Sequence, residues 1–307
     1  MTAIPVIVHG LGNIGSNVVQ CLESAPDMKC VGVIRSPSSI GTKSHDLRGV
    51  PEFPGLDALR DAVGKPEVAI VCGPSRLAPE DDARYLAAGL HTVDSFDIHG
   101  DIPALVPALD QKAKAAGRVA VTAAGWDPGT DSVLRTLFEA MTPTGTTFTN
   151  FGRGRSMGHS VAARAIPGVA DAISITIPVG GGRHSRLVYI LPESGADRKK
   201  IAADLKADDY FVHDELETRF VDTAAELAAS MDNSHGVLIE RIGASGPVSN
   251  QHLSFDMRID NPALTAQVLV SCARAATRLA PGCHTLIDIP PVALLPGDRM
   301  LHIARLV

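Results

Sequence analysis

The chain has 307 residues, 45% of them apolar, and a formal net charge of −6. That length fits about two domains with ample material for buried cores, and the mildly acidic balance excludes nucleic acid or an anionic membrane surface as principal partner, since both select for basic patches. Only 4% of residues are aromatic, which leaves no platform for stacking bases or sugars. In chain order, Ile4–His9 is a short apolar run that suits a strand buried on both faces. Residues 13–25 follow with helical spacing, Ile14, Val18, Val19 and Leu22 forming one stripe. Further strands are predicted at 30–34, 68–72, 91–93 and 119–123, with helices at 79–88 and 105–116 that stop at Gly89 and Gly117. Strands alternating with helices at this pitch predict right-handed crossovers and a doubly wound parallel sheet.

The rhythm changes after about residue 125. A helix at 131–141 is followed by β-type runs at 146–150, 173–177, 187–191, 215–221, 237–240 and 254–259, with one helix at 196–206 between them. Glu215–Phe220 alternates polar and apolar, so one of its faces should meet water. This half reads as an α+β domain with a mixed or antiparallel sheet and helices on one side. Residues 262–279 form the longest helical stretch, and its few charges predict burial. Cys21, Cys30, Cys72, Cys272 and Cys283 stand far apart with no CxxC, which predicts reduced thiols in a cytoplasmic protein, no disulfide framework and no zinc site. No apolar run reaches the ~18–20 residues of a membrane helix, and the N-terminus lacks the features of a signal peptide.

Gly10-Leu11-Gly12-Asn13-Ile14-Gly15 fits GxGxxG and stands where that motif acts, after an apolar strand and at the start of a helix. Gly10 allows the tight turn, Gly12 lets a pyrophosphate approach the backbone, and Gly15 lets helix and strand pack closely, while the helix N-terminus offers free N–H groups to the anion. The first half is therefore read as a Rossmann-type dinucleotide-binding domain. An NAD site expects Asp or Glu about 20 residues further on. The chain has Arg35 and Ser36 there, and no carboxylate between Val31 and Lys43, which favours NADP(H) because a guanidinium can take the 2′-phosphate in a bidentate pair. Cys72, Gly73, Pro74 and Ser75 follow the third strand at the sheet edge where ligands bind, a loop suited to the nicotinamide ribose.

Two loops concentrate ionisable groups, His91–Asp101 after the fourth strand and Ala124–Asp131 after the fifth, and both should open on one crevice. Asp131 is best explained as a helix N-cap and His99 and Asp101 as solvated loop, whereas Asp97 and Asp127 have no such local reason and point to function. A polar loop, Asn150–His159, follows, and Arg186, His235 and Asn261 lie near element ends.

The runs CGPSRLAPE (72–80), HTVDSFDIHGDIP (91–103), AAGWDPGTDS (123–132), TNFGRGRSMGH (149–159), DDYFVH (208–213), HGVLIER (235–241) and RIDNPALTAQ (258–267) resemble the meso-diaminopimelate D-dehydrogenase family, nearly end to end. The resemblance implies an NADP-dependent oxidoreductase acting reversibly on CH–NH2 at the D-centre of meso-2,6-diaminopimelate, giving L-2-amino-6-oxopimelate and ammonia. It assigns Asp97 and Asp127 to the D-amino group, and Trp126 to the pocket wall. Phe151, Met157 and Gly158 fall in the substrate loop. Thr176, Arg186, His235 and Asn261 recognise the distal L-centre and its carboxylate. The short Gly180-Gly181-Gly182 segment is similar to the family's shorter subtype. The resemblance also implies a homodimer or higher oligomer, and a cofactor domain at 1–125 completed by 261–307 around a substrate and dimerisation domain at 126–260. Three other readings compete. A broader D-amino acid dehydrogenase would share the chemistry. A dihydrodipicolinate-type reductase would need a His-His and Lys-rich catalytic loop, which does not follow residue 150. An NADP-binding redox sensor would need no substrate pocket and leaves the charged groups of the second half unexplained.

Overall fold

A computed structural model describes residues 3–42, 46–208, 210–232 and 234–307. The chain divides into two compact units, Met1–Leu134 with Pro262–Val307, and Arg135–Asn261. Residues 126–134, assigned above to the second domain, lie in the first unit, where the turn at Trp126–Thr130 packs on the short 3-10 turn Leu286–Asp288.

The first unit runs β1 (Ile4–His9), α1 (Asn13–Glu23), β2 (Met28–Ile34), β3 (Glu52–Phe53), α2 (Leu56–Val63), β4 (Val68–Val71), α3 (Ala78–Ala87), β5 (His91–Asp94), α4 (Ile102–Ala116) and β6 (Val119–Val121). Its strands, with β14 (Gly282–His284) from the C-terminal segment, form a seven-stranded sheet in the order β14-β6-β5-β4-β1-β2-β3 with every pairing parallel. Strand side chains alternate between two cores, which is why the strands read as continuous apolar runs. Val6 and Val8 point into one cluster with Val18, Val19 and Leu22 of α1, while Ile7 points into another with Leu59 of α2 and Tyr85 of α3. The predicted C-terminal helix is α9 (Asn261–Ala276), and its face of Ala266, Leu269, Val270 and Ala273 completes the first cluster. Arg274, 2% exposed, fixes that helix to the sheet through two bonds to Asp27, at 2.6 and 2.8 Å.

The helix α5 (Asp131–Met141) passes from the first unit into the second, which continues with β7 (Thr144–Phe151), β8 (Gly154–Ser156), α6 (Met157–Arg164), β9 (Val169–Gly180), β10 (Arg183–Pro192), α7 (Arg198–Ala207), β11 (Glu215–Phe220), α8 (Ala224–Ala229), β12 (His235–Ser245) and β13 (Val248–Ile259). The β half expected as one sheet is two, a three-stranded antiparallel sheet β13-β12-β7 and a four-stranded mixed sheet β11-β10-β9-β8 in which only β10 and β11 run parallel. Helices cover both faces of the mixed sheet rather than one. Val188, Ile190, Ile201, Leu205 and Phe211 fill the side of α6 and α7, and Ile173, Ile175, Leu187 and Leu227 fill the side of α8. β11 alternates as predicted, with Glu215, Glu217 and Arg219 exposed. After β14 the chain ends in α10 (Arg299–Leu306), capped by the Asp298 carboxylate.

Candidate active site

The glycine turn has the steric logic the motif demands. Gly10 has φ +91°, and a Cβ there would lie 2.9 Å from the Cys72 carbonyl oxygen. A Cβ at Gly15 would run into the Gly10 carbonyl, so α1 packs on the turn only with glycine at that position. Gly12 has open space above it. It is extended at the α1 N-terminus, where no side chain caps the helix and no acidic residue occupies the first turn. Unsatisfied N–H groups and an unopposed helix dipole thus face that opening. Asn13 is exposed and its carbonyl accepts from Asn17, and Ile14 packs on the first core cluster. Cys72 N–H donates to the His9 carbonyl at 2.7 Å, bringing Cys72-Gly73-Pro74-Ser75 beside the turn. Desolvation, with Cys30 nearby, pushes the Cys72 thiol far above its ordinary value. These residues fit a dinucleotide.

Arg35 departs from the free cation expected of it. It is 9% exposed, its guanidinium is paired with the Glu52 carboxylate of β3, and it donates to the Thr42 hydroxyl at 3.0 Å. Burial drives the Glu52 carboxyl up, but the bonds from Arg35 and the Gly41 N–H outweigh it and hold Glu52 below its usual range. Ser36 is exposed, its hydroxyl 2.8 Å from that of Ser39 and 3.3 Å from that of Ser38.

The loops after β5 and β6 approach each other. Asp97 is exposed, and Trp126 is buried. Asp127 breaks the wound turn Trp126–Thr130 with extended backbone angles, and its carboxylate is partly exposed. His99 is exposed, as expected of a solvated loop, with its Nε2 3.8 Å from Asp127 Oδ1. Asp131 is not the N-cap expected. The turn runs directly into α5, Asp131 has helical angles, and it is 1% exposed.

In the second unit, Thr176 and Arg186 stand opposite each other in the β9–β10 register. Arg186 Nη1 donates to the Thr176 hydroxyl, and its Nε donates to Asp214 Oδ2 at 2.6 Å. Asp214 was not anticipated. His159 lies beside them, its Nδ1 2.8 Å from Ser156 Oγ and its ring edge-on to Phe211 and Tyr210. His184 approaches Phe151, whose ring is 70% exposed. Burial first, and the Arg186 charge second, hold both imidazoles below their usual pKa, against the opposing pull of Asp214. Gly154 pairs with Thr176, and a Cβ on it would strike the Ser234 carbonyl and lie 3.4 Å from the His235 N, so β12 begins against this edge. His235 is exposed there, opposite Ile259, and Asn261 follows at the start of α9. Met157 and Gly158 open α6, and beyond that they lie outside the described residues.

Fold and glycine turn together define a Rossmann-type dinucleotide-binding protein. Residues 125–182 match the diaminopimelic acid dehydrogenase C-terminal domain. The chain is 44% identical to a meso-diaminopimelate D-dehydrogenase of Bacteroides fragilis, covering 100% of both chains. It superposes on C. glutamicum DAP dehydrogenase in complex with DAP with a TM-score of 0.73, at 30% identity and 100% coverage of both chains. An engineered D-amino acid dehydrogenase bound to NADP+ follows at TM-score 0.69 and 29% identity, again over 100% of both chains. The chain belongs to the meso-diaminopimelate D-dehydrogenase family.

Proposed function

We propose that this chain catalyses the reversible, NADP(H)-dependent oxidative deamination of the D-centre of meso-2,6-diaminopimelate to L-2-amino-6-oxopimelate and ammonia. The observation that carries this reading is the Thr176–Arg186–Asp214 cluster, a guanidinium held in a fixed orientation by a hydroxyl and a carboxylate, in a member of this family. Asp97 and Asp127 are assigned to the D-ammonium group, with Trp126 shaping the apolar wall beside it. When bound, the nicotinamide accepts or donates the hydride. Asp127 takes the proton that the ammonium must lose, with the His99 imidazole 3.8 Å from its carboxylate. Water added to the resulting imine and loss of ammonia complete the deamination. Arg186, with Thr176, His235 and Asn261, is assigned to the distal L-centre, and Phe151, Met157 and Gly158 to the substrate loop. A site built on charged hydrogen bonds penalises a molecule without the distal head group, because its own groups are then left unpaired.

A spectrophotometric assay with meso-, LL- and DD-diaminopimelate and both cofactors tests the reading. Turnover of the meso isomer well above LL is expected, and equal or faster turnover of simple D-amino acids would replace it with the broader D-amino acid dehydrogenase. The five cysteines are free among the described residues, which suits the cytoplasm. Among those residues no helix is long and apolar enough to cross a membrane. A homodimer or larger homo-oligomer is part of the same proposal. It is supported by the exposed Ile242 and Val248 on the three-stranded sheet and is tested by sedimentation of the intact protein.

The NADP assignment rests on Arg35 and the Ser36 hydroxyl, tempered by Glu52. A carboxylate beside the guanidinium opposes a 2′-phosphate, so discrimination against NAD is expected to be incomplete. Glu52→Gln should tighten NADPH relative to NADH by about tenfold, equivalent to about 1.4 kcal/mol, read from fluorescence titration of both cofactors. An unchanged ratio would move the 2′-phosphate away from this pair, and tighter binding of NADH by the unaltered protein would reject NADP.

A further inference from the structure

Behind the two candidate catalytic loops lies a second pair of carboxyls with no part in the chemistry above. Asp82 on α3 is 0% exposed and Asp94 at the end of β5 is 1% exposed, and they face each other in the interior of the first unit. Thr92 adjoins Asp82 and Thr122 adjoins Asp94. Five oxygens of these four side chains are buried without a partner at hydrogen-bonding geometry: both of Asp82, Oδ2 of Asp94, and the Thr92 and Thr122 hydroxyls. An ionised carboxylate can only accept, so two facing carboxylates with no cation leave each other's lone pairs unmet. The titratable groups around them are also acidic, Asp81 and Tyr85 on α3, Cys272 on α9 and Cys283 on β14. Arg84 and His9 pair with Asp81 rather than with this couple.

The other face of Asp94 joins the active-site loops. Its Oδ1 accepts from the Phe96 N–H at 2.7 Å and from the Ala123 N–H at 3.2 Å, and its backbone carbonyl accepts from the Ala124 N–H at 3.0 Å. Phe96 immediately precedes Asp97, and Ala123 begins the turn that carries Trp126 and Asp127. Ala123 holds a left-handed backbone, φ +53°, which a residue with a Cβ keeps only under external constraint. We propose that Asp82 and Asp94 share a single proton, and that this dyad is a positioning strut that holds the Asp97 and Asp127 loops in register. The proton supplies a donor between the two carboxyls, which the Thr92 and Thr122 hydroxyls flank, and it leaves one negative charge on the Asp94 side to bind two backbone N–H groups. The inference concerns positioning residues and rests on the reading of Asp97 and Asp127, although its structural half can be measured without turnover.

Burial raises both carboxyls, and each raises or bonds the other, so the native pair retains a proton that the unfolded chain releases. Stability from this pair is therefore largest at acid pH and falls as pH rises through the interval between the ordinary Asp value and the raised native one. Infrared difference spectra of the wild-type protein without cofactor or substrate should show a protonated-carboxyl stretch at neutral pH, and Asp82→Asn should abolish it. Asp82→Asn should also flatten the decline of Tm as pH rises above the ordinary Asp value, and its kcat should fall less than that of wild type over the same interval. Asp94→Ala, which removes the strut, should collapse kcat while cofactor binding at the glycine turn persists. Absence of the infrared band in the wild-type protein would overturn the shared proton. A Tm and kcat profile in Asp82→Asn parallel to wild type would overturn its role as a strut. If the band and the Tm profile behave as expected but diaminopimelate is not turned over, the dyad stands and the functional reading fails.

Discussion

Asp127→Asn is expected to lower kcat by about 10²- to 10⁴-fold, the range a positioned general base contributes, with cofactor affinity unchanged. Asparagine keeps the shape and one acceptor oxygen but cannot take a proton. The wound turn that presents it should survive, since it is tied by the Thr130 hydroxyl and N–H to the Trp126 and Gly125 carbonyls, each at 3.0 Å, and not by the Asp127 side chain. The glycine turn that would bind the cofactor lies at another strand end, so a titration of NADPH separates lost chemistry from lost folding. Undiminished turnover in Asp127→Asn would transfer the proton to Asp97, which is exposed and belongs to the same pair of loops. His99→Asn should have a smaller effect, because its imidazole is mostly exposed and at 3.8 Å lies beyond hydrogen-bond distance of Asp127.

The parts legible in the sequence are those that local pattern encodes. β1, the glycine turn and α1 could be read because a strand buried on both faces is a continuous apolar run and the turn's glycines are demanded by backbone clashes within a few residues and with β4. The parts that were missed depend on distant partners. Glu52 lies on a strand of two residues, too short for any periodicity, yet it neutralises Arg35 seventeen positions away. Asp214 precedes β11 and reveals its role only when Arg186 arrives from β10. Asp82 occupies a charged, amphipathic helix, where a carboxylate reads as surface, and only the docking of α3 on β5 buries it. Asp131 had the position of an N-cap, but a wound turn precedes it and removes the helix start that a cap would serve. The split of one expected sheet into two has the same origin. β12 chooses β7, whose paired residues lie 86 to 100 positions earlier, as its partner, and nothing in either segment's alternation specifies that choice.

Arg186→Ala should reduce kcat/KM for meso-diaminopimelate by about 30- to several-thousand-fold, since truncating one member of a largely buried, hydrogen-bonded charge pair costs about 2–5 kcal/mol. The Arg186 and Asp214 side chains are 10% and 20% exposed, so solvent screens the remaining charge poorly. Two losses combine in this variant. The distal carboxylate loses its cation, and Asp214 is left as an unpaired anion that repels it. Asp214→Asn added to Arg186→Ala removes the second loss and should recover part of the activity, a non-additivity that a double-mutant cycle reads directly. A simple D-amino acid without a distal head group provides the control. If Arg186 only braces Thr176 and β9, its removal lowers turnover of that substrate as much as of diaminopimelate. If it reads the distal carboxylate, the short substrate is spared, and the ratio of the two kcat/KM values moves toward the D-amino acid by the full factor lost on diaminopimelate.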